Sequence, residues 1–264
     1  ARNVVCVGAQ PLAITDGLNF GSPEKPEIFS QLRRGIEGIA AACRALGLPV
    51  TGGNVSLYNE TDGQAIYPTP IIGMLGLLEN ADDCLTAGWQ QDGHVIVLLG
   101  ETKEELGGTE FLSVVHGLEG GKAPQLDLDR EKRVQASVLQ AVREGLLASA
   151  HDCSEGGLAV CLAESCIISG KGASIALDLT MRADALLFGE SQSRIVLSLS
   201  EEHLPRLERI AAQHEVPCTV LGRVGTDALT IALQGDRPVS LGWNVQTMQE
   251  SYNDSLSRIM KGQA

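Results

Sequence analysis

Apolar positions along this chain switch repeatedly between a helical and an extended period. Ile28, Phe29, Leu32, Ile36, Ile39, Ala40, Cys43 and Leu46 recur at helical spacing, which predicts one amphipathic helix. Pro26 and Glu27 suit its first turn and Gly47 its end, while Arg33 and Arg34 fall off the stripe and are expected to face water. Short apolar runs flank this helix: Val4 to Val7 and Leu12 to Thr15 before it, Leu48 to Val50 after it. Ala65 to Tyr67 and Ile71 to Leu78 read as further strands. The loop Asn19 to Glu27, with two prolines and a glycine, separates the second run from the helix.

A polar, Gly-containing stretch from Asp82 to Asp92 marks the expected domain boundary. Beyond it, His94 to Leu99, Ala173 to Leu177, Arg194 to Leu199, Cys218 to Val224 and Leu229 to Leu233 read as strands. Helical spacing predicts helices from Gly107 through Val115, over Asp129 to Leu147, Leu158 to Ile168 and Glu201 to Gln213, and around Val245 to Met260. Mixed spacing of strands and helices favours an α+β class over a doubly wound sheet.

At 264 residues, two domains or one large one is expected. Aromatics are only 3% of the chain, so the core must rest on Leu, Ile, Val and Ala. The net charge of −13 argues against a nucleic-acid surface, leaving any anion to be held locally by backbone amides, a cation and a few placed residues. Seven cysteines, Cys6, Cys43, Cys84, Cys153, Cys161, Cys166 and Cys218, show no C-x-x-C pair, which suits a reducing cytoplasm. No run approaches a membrane span. The opening Ala1 to Cys6 reads as the interior of a longer polypeptide.

The candidate chemistry centres on Thr51-Gly52-Gly53-Asn54-Val55-Ser56-Leu57-Tyr58-Asn59-Glu60. Adjacent glycines let backbone N–H groups approach a ligand closely. Asn54, Ser56, Asn59 and Glu60 offer oxygens that suit a hard cation such as Mg²⁺. The competing reading is a Gly-Gly hairpin whose polar residues face water. Asp16, where an apolar run meets Gly17, is expected at a strand-to-loop junction, and the intervening helix would bring it and Gly53 to one edge of a sheet.

Three other clusters invite weaker readings. His151-Asp152-Cys153-Ser154 suggests a nucleophilic triad, but no strained nucleophile turn precedes Ser154. The five histidines lack zinc-ligand spacing; His94 reads as structural, His203 and His214 as solvated. Gly156-Gly157 opens a helix and makes an anion site conceivable. Glu190-Ser191-Gln192 is either a chemical motif or a turn satisfied by its own backbone. No P-loop or dinucleotide fingerprint is present.

Thr15 to Glu27, Gly52 to Glu60, His151-Asp152-Cys153-Ser154-Glu155-Gly156-Gly157-Leu158-Ala159 and Phe188-Gly189-Glu190-Ser191-Gln192-Ser193 together resemble, in order and over essentially the whole chain, the synthetase subunit of the phosphoribosylformylglycinamidine synthase family. The resemblance implies an ATP-dependent ligase of purine biosynthesis. Such an enzyme converts formylglycinamide ribonucleotide, ATP and glutamine-derived ammonia to formylglycinamidine ribonucleotide, ADP and phosphate. ATP would activate the amide oxygen as an iminophosphate that ammonia displaces, with positioning and charge neutralisation carrying most of the acceleration.

The family's synthetase is internally duplicated, and this chain resembles its second half with the start missing. Residues 1–85 would form an AIR-synthetase-like N-terminal domain, whose sheet pairs into a barrel. Residues 88–235 would form the AIR-synthetase-like C-terminal α/β domain, followed by a tail over 236–264. Carried over by motif, Asp16 and Gly53 match ATP-binding positions, Asn54 a Mg²⁺ position and Ser56 a substrate-binding position.

The family's catalytic histidine belongs to the other half, so no catalytic residue is assigned here and the isolated piece is expected to be inactive. Asp152, Glu190, Ser191 and Gln192 correspond by duplication to binding motifs of the first half, at a degenerate site that in some members holds a structural nucleotide. Glu155, Cys153 and Gly17 depart from the commoner Asp, Val and a larger residue, which puts a direct metal role for Glu155 in doubt. The implied partners are the N-terminal half, and a glutaminase subunit with a small bridging subunit or a fused glutaminase domain. Homodimerisation through the N-terminal domain is a further option; nucleic acid and membrane are not implied. Two alternatives stay open: another ATP-dependent enzyme of the same superfamily, such as aminoimidazole ribonucleotide synthetase, selenophosphate synthetase or a thiamine-phosphate kinase, and a non-catalytic nucleotide-binding or assembly module.

Overall fold

The glycine pair lies in one small sheet, and the Asn19 to Glu27 loop leads from that sheet into a helix. In the computed structural model, which describes residues 1–236 and 238–262, the chain opens with α1 (Arg2–Cys6) and β1 (Gln10–Asn19). There follow α2 (Pro26–Leu46), β2 (Val50–Ser56), the short pair β3 (Glu60–Thr61) and β4 (Gln64–Ala65), and β5 (Thr69–Leu77). Contacts divide the chain into two units. The first takes Ala1, Asn3–Val5 and Ala9–Glu79, and the second takes Arg2, Cys6–Gly8 and Asn80 onward.

The first unit is a three-stranded sheet in the order β2-β1-β5. α2 is the crossover that lets β1 and β2 run parallel, while β5 returns antiparallel to β1. α2 stops where expected: Gly47 takes a left-handed φ of 69° and its N–H bonds Cys43 O. Leu18, Phe20 and Ile28 form the buried centre, with Leu32, Ile39, Leu57 and Ala65 packed around it. Phe29 and Ile36, on the predicted stripe, stay exposed. Both edges of the sheet are open, and no closed sheet forms among the described residues, so this chain by itself does not make the expected barrel.

The strands run further than the apolar runs suggested. β1 continues through Asp16 and Gly17, and β2 passes straight through Gly52 and Gly53, so neither the strand-to-loop junction nor the hairpin exists. Backbone pairing between two parallel neighbours overrides the local glycine signal.

The second unit comprises β6 (Val95–Leu99), α3 (Glu110–His116), α4 (Leu128–Arg143), β7 (Ser149–Asp152), α5 (Gly157–Ser169), β8 (Ala173–Asp178) and α6 (Ala183–Phe188). β9 (Ile195–Leu199), α7 (Leu204–Gln213), β10 (Cys218–Val224), β11 (Ala228–Gln234), β12 (Val239–Asn244) and α8 (Val245–Met260) complete it. Its seven strands lie in the order β12-β11-β8-β10-β6-β9-β7. Only β8 and β11 pair in parallel, so the fold class is α+β.

β6 is buried on both faces. Ile96 and Leu98 join Leu158 and Leu162 of α5 in the core, and Val95, Val97 and Leu99 are buried on the opposite face. β12 and α8 belong to this unit too, because β12 pairs along β11 and Gln249 of α8 donates to Ile167 O at 2.8 Å. The end of the expected tail, Gln263 and Ala264, lies outside the described residues, as does Arg237. Among the described residues no helix is long and apolar enough to cross a membrane.

Candidate functional site

The register of β1 against β2 sets the geometry of the first site. Asp16 lies opposite Gly53, Gly17 opposite Asn54 and Asn19 opposite Ser56. Strand alternation then sends Asn54 and Ser56 to one face and position 53 to the other. A Cβ on Gly53 would stand 2.0 Å from the Asp16 carboxylate oxygen and 2.1 Å from the Asp16 carbonyl. Gly53 is therefore a glycine because the neighbouring strand and its carboxylate fill the space a side chain would need. β2 is an edge strand, and Thr51 through Asn54 are exposed. The exposed edge backbone is open to a ligand, with the Asp16 carboxylate on one face of the sheet and the Asn54 amide on the other.

The following segment fastens this edge to the Asn19 to Glu27 loop. Phe20 N donates to Ser56 O at 3.1 Å, Tyr58 N to Gly21 O at 3.2 Å and Asn59 N to Phe20 O at 3.1 Å. The Asn59 amide donates to Phe20 O and Ser56 O, both at 3.0 Å, and the Ser56 hydroxyl donates to Asn59 Oδ1 at 3.2 Å. Asn59 is thus a structural clasp rather than a free oxygen donor. Glu60 is likewise taken: Lys25 Nζ sits 2.6 Å from it and holds its carboxyl below the usual range. Of the oxygen donors read from the sequence, Asn54 keeps its side chain uncommitted, on the face of β2 away from the Asp16 carboxylate. A neutral, exposed amide oxygen suits a Mg²⁺ ion already shared with phosphates.

In the second unit β7 delivers His151 and Asp152, and the turn after it leads through Gly156, at a left-handed φ of 76°, into α5. The Ser154 hydroxyl donates to Asp152 at 3.1 Å. Burial alone would lower the His151 pKa, but Glu164 at 3.0 Å and Asp152 at 3.9 Å outweigh it and raise it to about 9. A protonated imidazole locked between carboxylates cannot serve as the base of a nucleophilic triad.

The Phe188 to Ser193 motif wraps around Arg194, whose guanidinium is fully buried. It donates to Ser191 O at 2.9 Å, to Gly189 O at 2.6 Å and to Thr102 Oγ1 at 3.0 Å. Glu190 accepts from the N–H groups of Gly156 and Glu110, both at 2.9 Å. Sequence reading missed Arg194, Arg2 and Glu131 as organisers of this region. An arginine at the head of an otherwise apolar strand was the available signal for Arg194; Arg2 and Glu131 meet only through the tertiary fold. His203 and His214, read as solvated, bond Leu146 O at 3.0 Å and Gln140 Oε1 at 2.9 Å. A cleft of about 490 Å³ elsewhere in this unit, lined by Leu98, Asp178, Met181 and Gln234 among others, takes from the motifs only the apolar Leu158.

Comparison with known proteins agrees with this division. The chain is 47% identical over 260 residues to the phosphoribosylformylglycinamidine synthase subunit PurL of Moorella thermoacetica, covering 98% of this chain and 35% of that one. With the PurL subunit of Symbiobacterium thermophilum it shares 52% identity over 231 residues, 86% of this chain and 30% of the relative. A T. maritima PurL structure complexed with FGAR superposes with a TM-score of 0.75 at 26% identity, over 94% of this chain and 41% of that one. The chain thus spans about a third of the length of the curated relatives it matches. The N-terminal domain model of AIR synthase related proteins matches residues 1–78 and the C-terminal domain model residues 91–233, and the chain belongs to the AIR synthase related protein family.

Proposed function

We propose that this chain is part of an ATP-dependent ligase of purine biosynthesis, the phosphoribosylformylglycinamidine synthase reaction described above. The observation that carries this is the 47% identity to a PurL subunit along nearly the entire chain. The T. maritima relative has been solved with FGAR, which supports a formylglycinamide ribonucleotide substrate.

Within the ligase, Asp16 and Gly53 bind ATP, Asn54 holds Mg²⁺ and Ser56 contacts the ribonucleotide. The β1–β2 register favours this reading, because it brings Asp16, Gly53 and Asn54 into adjacent positions. Mg²⁺ at Asn54 would neutralise phosphate charge. The edge-strand N–H groups near Gly53 would orient the phosphates, which is the positioning that phosphoryl transfer requires. Asp152, Glu190, Ser191 and Gln192, the counterparts by duplication of binding motifs in the other half of the synthetase, mark a degenerate site.

Residues 1–85 act as the N-terminal domain and 88–235 as the C-terminal domain, which β12 and α8 extend. On one face of β5, Ile71, Leu75 and Leu77 are 55–66% exposed. That uncovered apolar stripe favours closure of the sheet into a barrel against a second N-terminal domain, from the other half of the synthetase or from another copy. The glutaminase subunit or domain and the small bridging subunit would assemble on the completed cytoplasmic enzyme, and this chain alone would be inactive.

Calorimetric titration with ATP, with and without Mg²⁺, tests the assignment. Mg²⁺-dependent binding that is weakened about tenfold in Asn54→Ala is expected. Binding indifferent to that change would remove Asn54 from the site and point to the cluster around Asp152; no binding at all would leave only a scaffold.

A further inference from the structure

The counterpart site of the second unit does not fit a metal–nucleotide, because its charged groups already hold one another. Glu131, on α4, is only 5% exposed, and a carboxylate so buried requires a counter-ion. Arg2 supplies it, with Nε 3.2 Å from Glu131 Oε1. The same planar fork donates to Gln192 Oε1 and, at 3.4 Å, to Cys153 O. Glu131 is completed by the Ser193 hydroxyl and by the Gln135 amide at 2.8 Å. The cationic position between the Asp152 and Gln192 motifs is thus taken by a guanidinium.

The anionic position is taken as well. Glu190 caps the N–H of Gly156 at the start of α5, the backbone donor a phosphate would use there, and bonds Glu110 N with the same oxygen. Ser191 Oγ accepts from Lys103 N at 3.0 Å and is turned toward Lys103 O at 3.2 Å. The Gln192 amide donates to Glu190 O at 3.1 Å.

We infer that this site is filled by its own residues, Arg2 as resident cation and Glu190 as resident anion, and that it takes neither a divalent cation nor a nucleotide. The inference rests on the reading of Asp152, Glu190, Ser191 and Gln192 as a counterpart site. It implies that the chain offers one metal–phosphate site, on β1 and β2, and that the second cluster has become a structural lock.

The test is nuclear magnetic resonance of the ¹⁵N-labelled chain carrying Asn54→Ala, with excess Mg-ADP as probe. The Arg2 Nε–H resonance, identified by its loss in Arg2→Lys, should be observable and unmoved by Mg-ADP. The Gly156 amide, which needs no further variant, should be equally unmoved. A shift or broadening of either signal on adding Mg-ADP, or a solvent-averaged Arg2 side chain, overturns the inference. Failure of the β1–β2 reading would show separately, as loss of Mg-ATP binding by the chain with Asn54 intact.

Discussion

The two motif regions of this chain handle polar residues in opposite ways. On the β1–β2 edge, Asn54 is exposed and Asp16 fills the space that a side chain at position 53 would need. Around Arg194 every motif side chain is tied to another element: Glu190 to α3 and the start of α5, Ser191 to Lys103, Gln192 to Arg2 and Ser193 to Glu131. Uncommitted polar groups at an open edge are available to a ligand, whereas fully satisfied buried ones specify a local structure. The contrast teaches that resemblance of a motif to a binding site does not make it one, and that the partners of its polar atoms decide.

Arg194→Met should give the largest effect. It leaves Gly189 O and Ser191 O buried without their donors, and is expected to cost about 3–5 kcal/mol in urea denaturation. Mg-ATP binding per folded molecule should be unchanged; a parallel loss of affinity would erase the distinction between the two regions.

The pH dependence of stability comes next. Because the folded His151 pKa of about 9 lies above its ordinary 6.5, the protonated ring stabilises the fold fully below about pH 6.5, and that contribution is lost as pH rises toward 9. The loss is roughly 3 kcal/mol at most, from about 1.4 kcal/mol per pH unit. Glu164→Gln should flatten this limb of the stability profile, and an unchanged slope would exclude the His151–Glu164 pair as its source.

Gly53→Ala should act on the other region. Its Cβ cannot coexist with Asp16, so the strands must shift, at about 1–3 kcal/mol. Calorimetry should show Mg-ATP binding lost while the melting of the second unit is retained. The smallest expected effect is that of Asn54→Ala, which disturbs no packing. It should weaken Mg²⁺-dependent ATP binding roughly tenfold, about 1.4 kcal/mol, with no change in melting temperature.

Much of this was legible in the order of residues. The stripe from Ile28 to Leu46 gives α2, with Pro26 and Gly47 as its ends. The β-branched runs gave β6, β9, β10 and β11. Less was legible where neighbours decide. The long helix stops at Arg143 rather than Leu147, because Gly145 turns left-handed at φ 66°. β7 and α6 are too short for periodicity to reveal.

Local chemistry, then, determined by itself the ends of α2 and the α+β class, because spacing and caps are properties of nearby sequence. Only the tertiary structure decided that Gly52 and Gly53 lie within a strand, that Gly53 sits opposite Asp16, and that Arg2 meets Glu131 across 129 positions. Those outcomes depend on register and on burying charge beside its opposite, and both are set by groups distant along the chain.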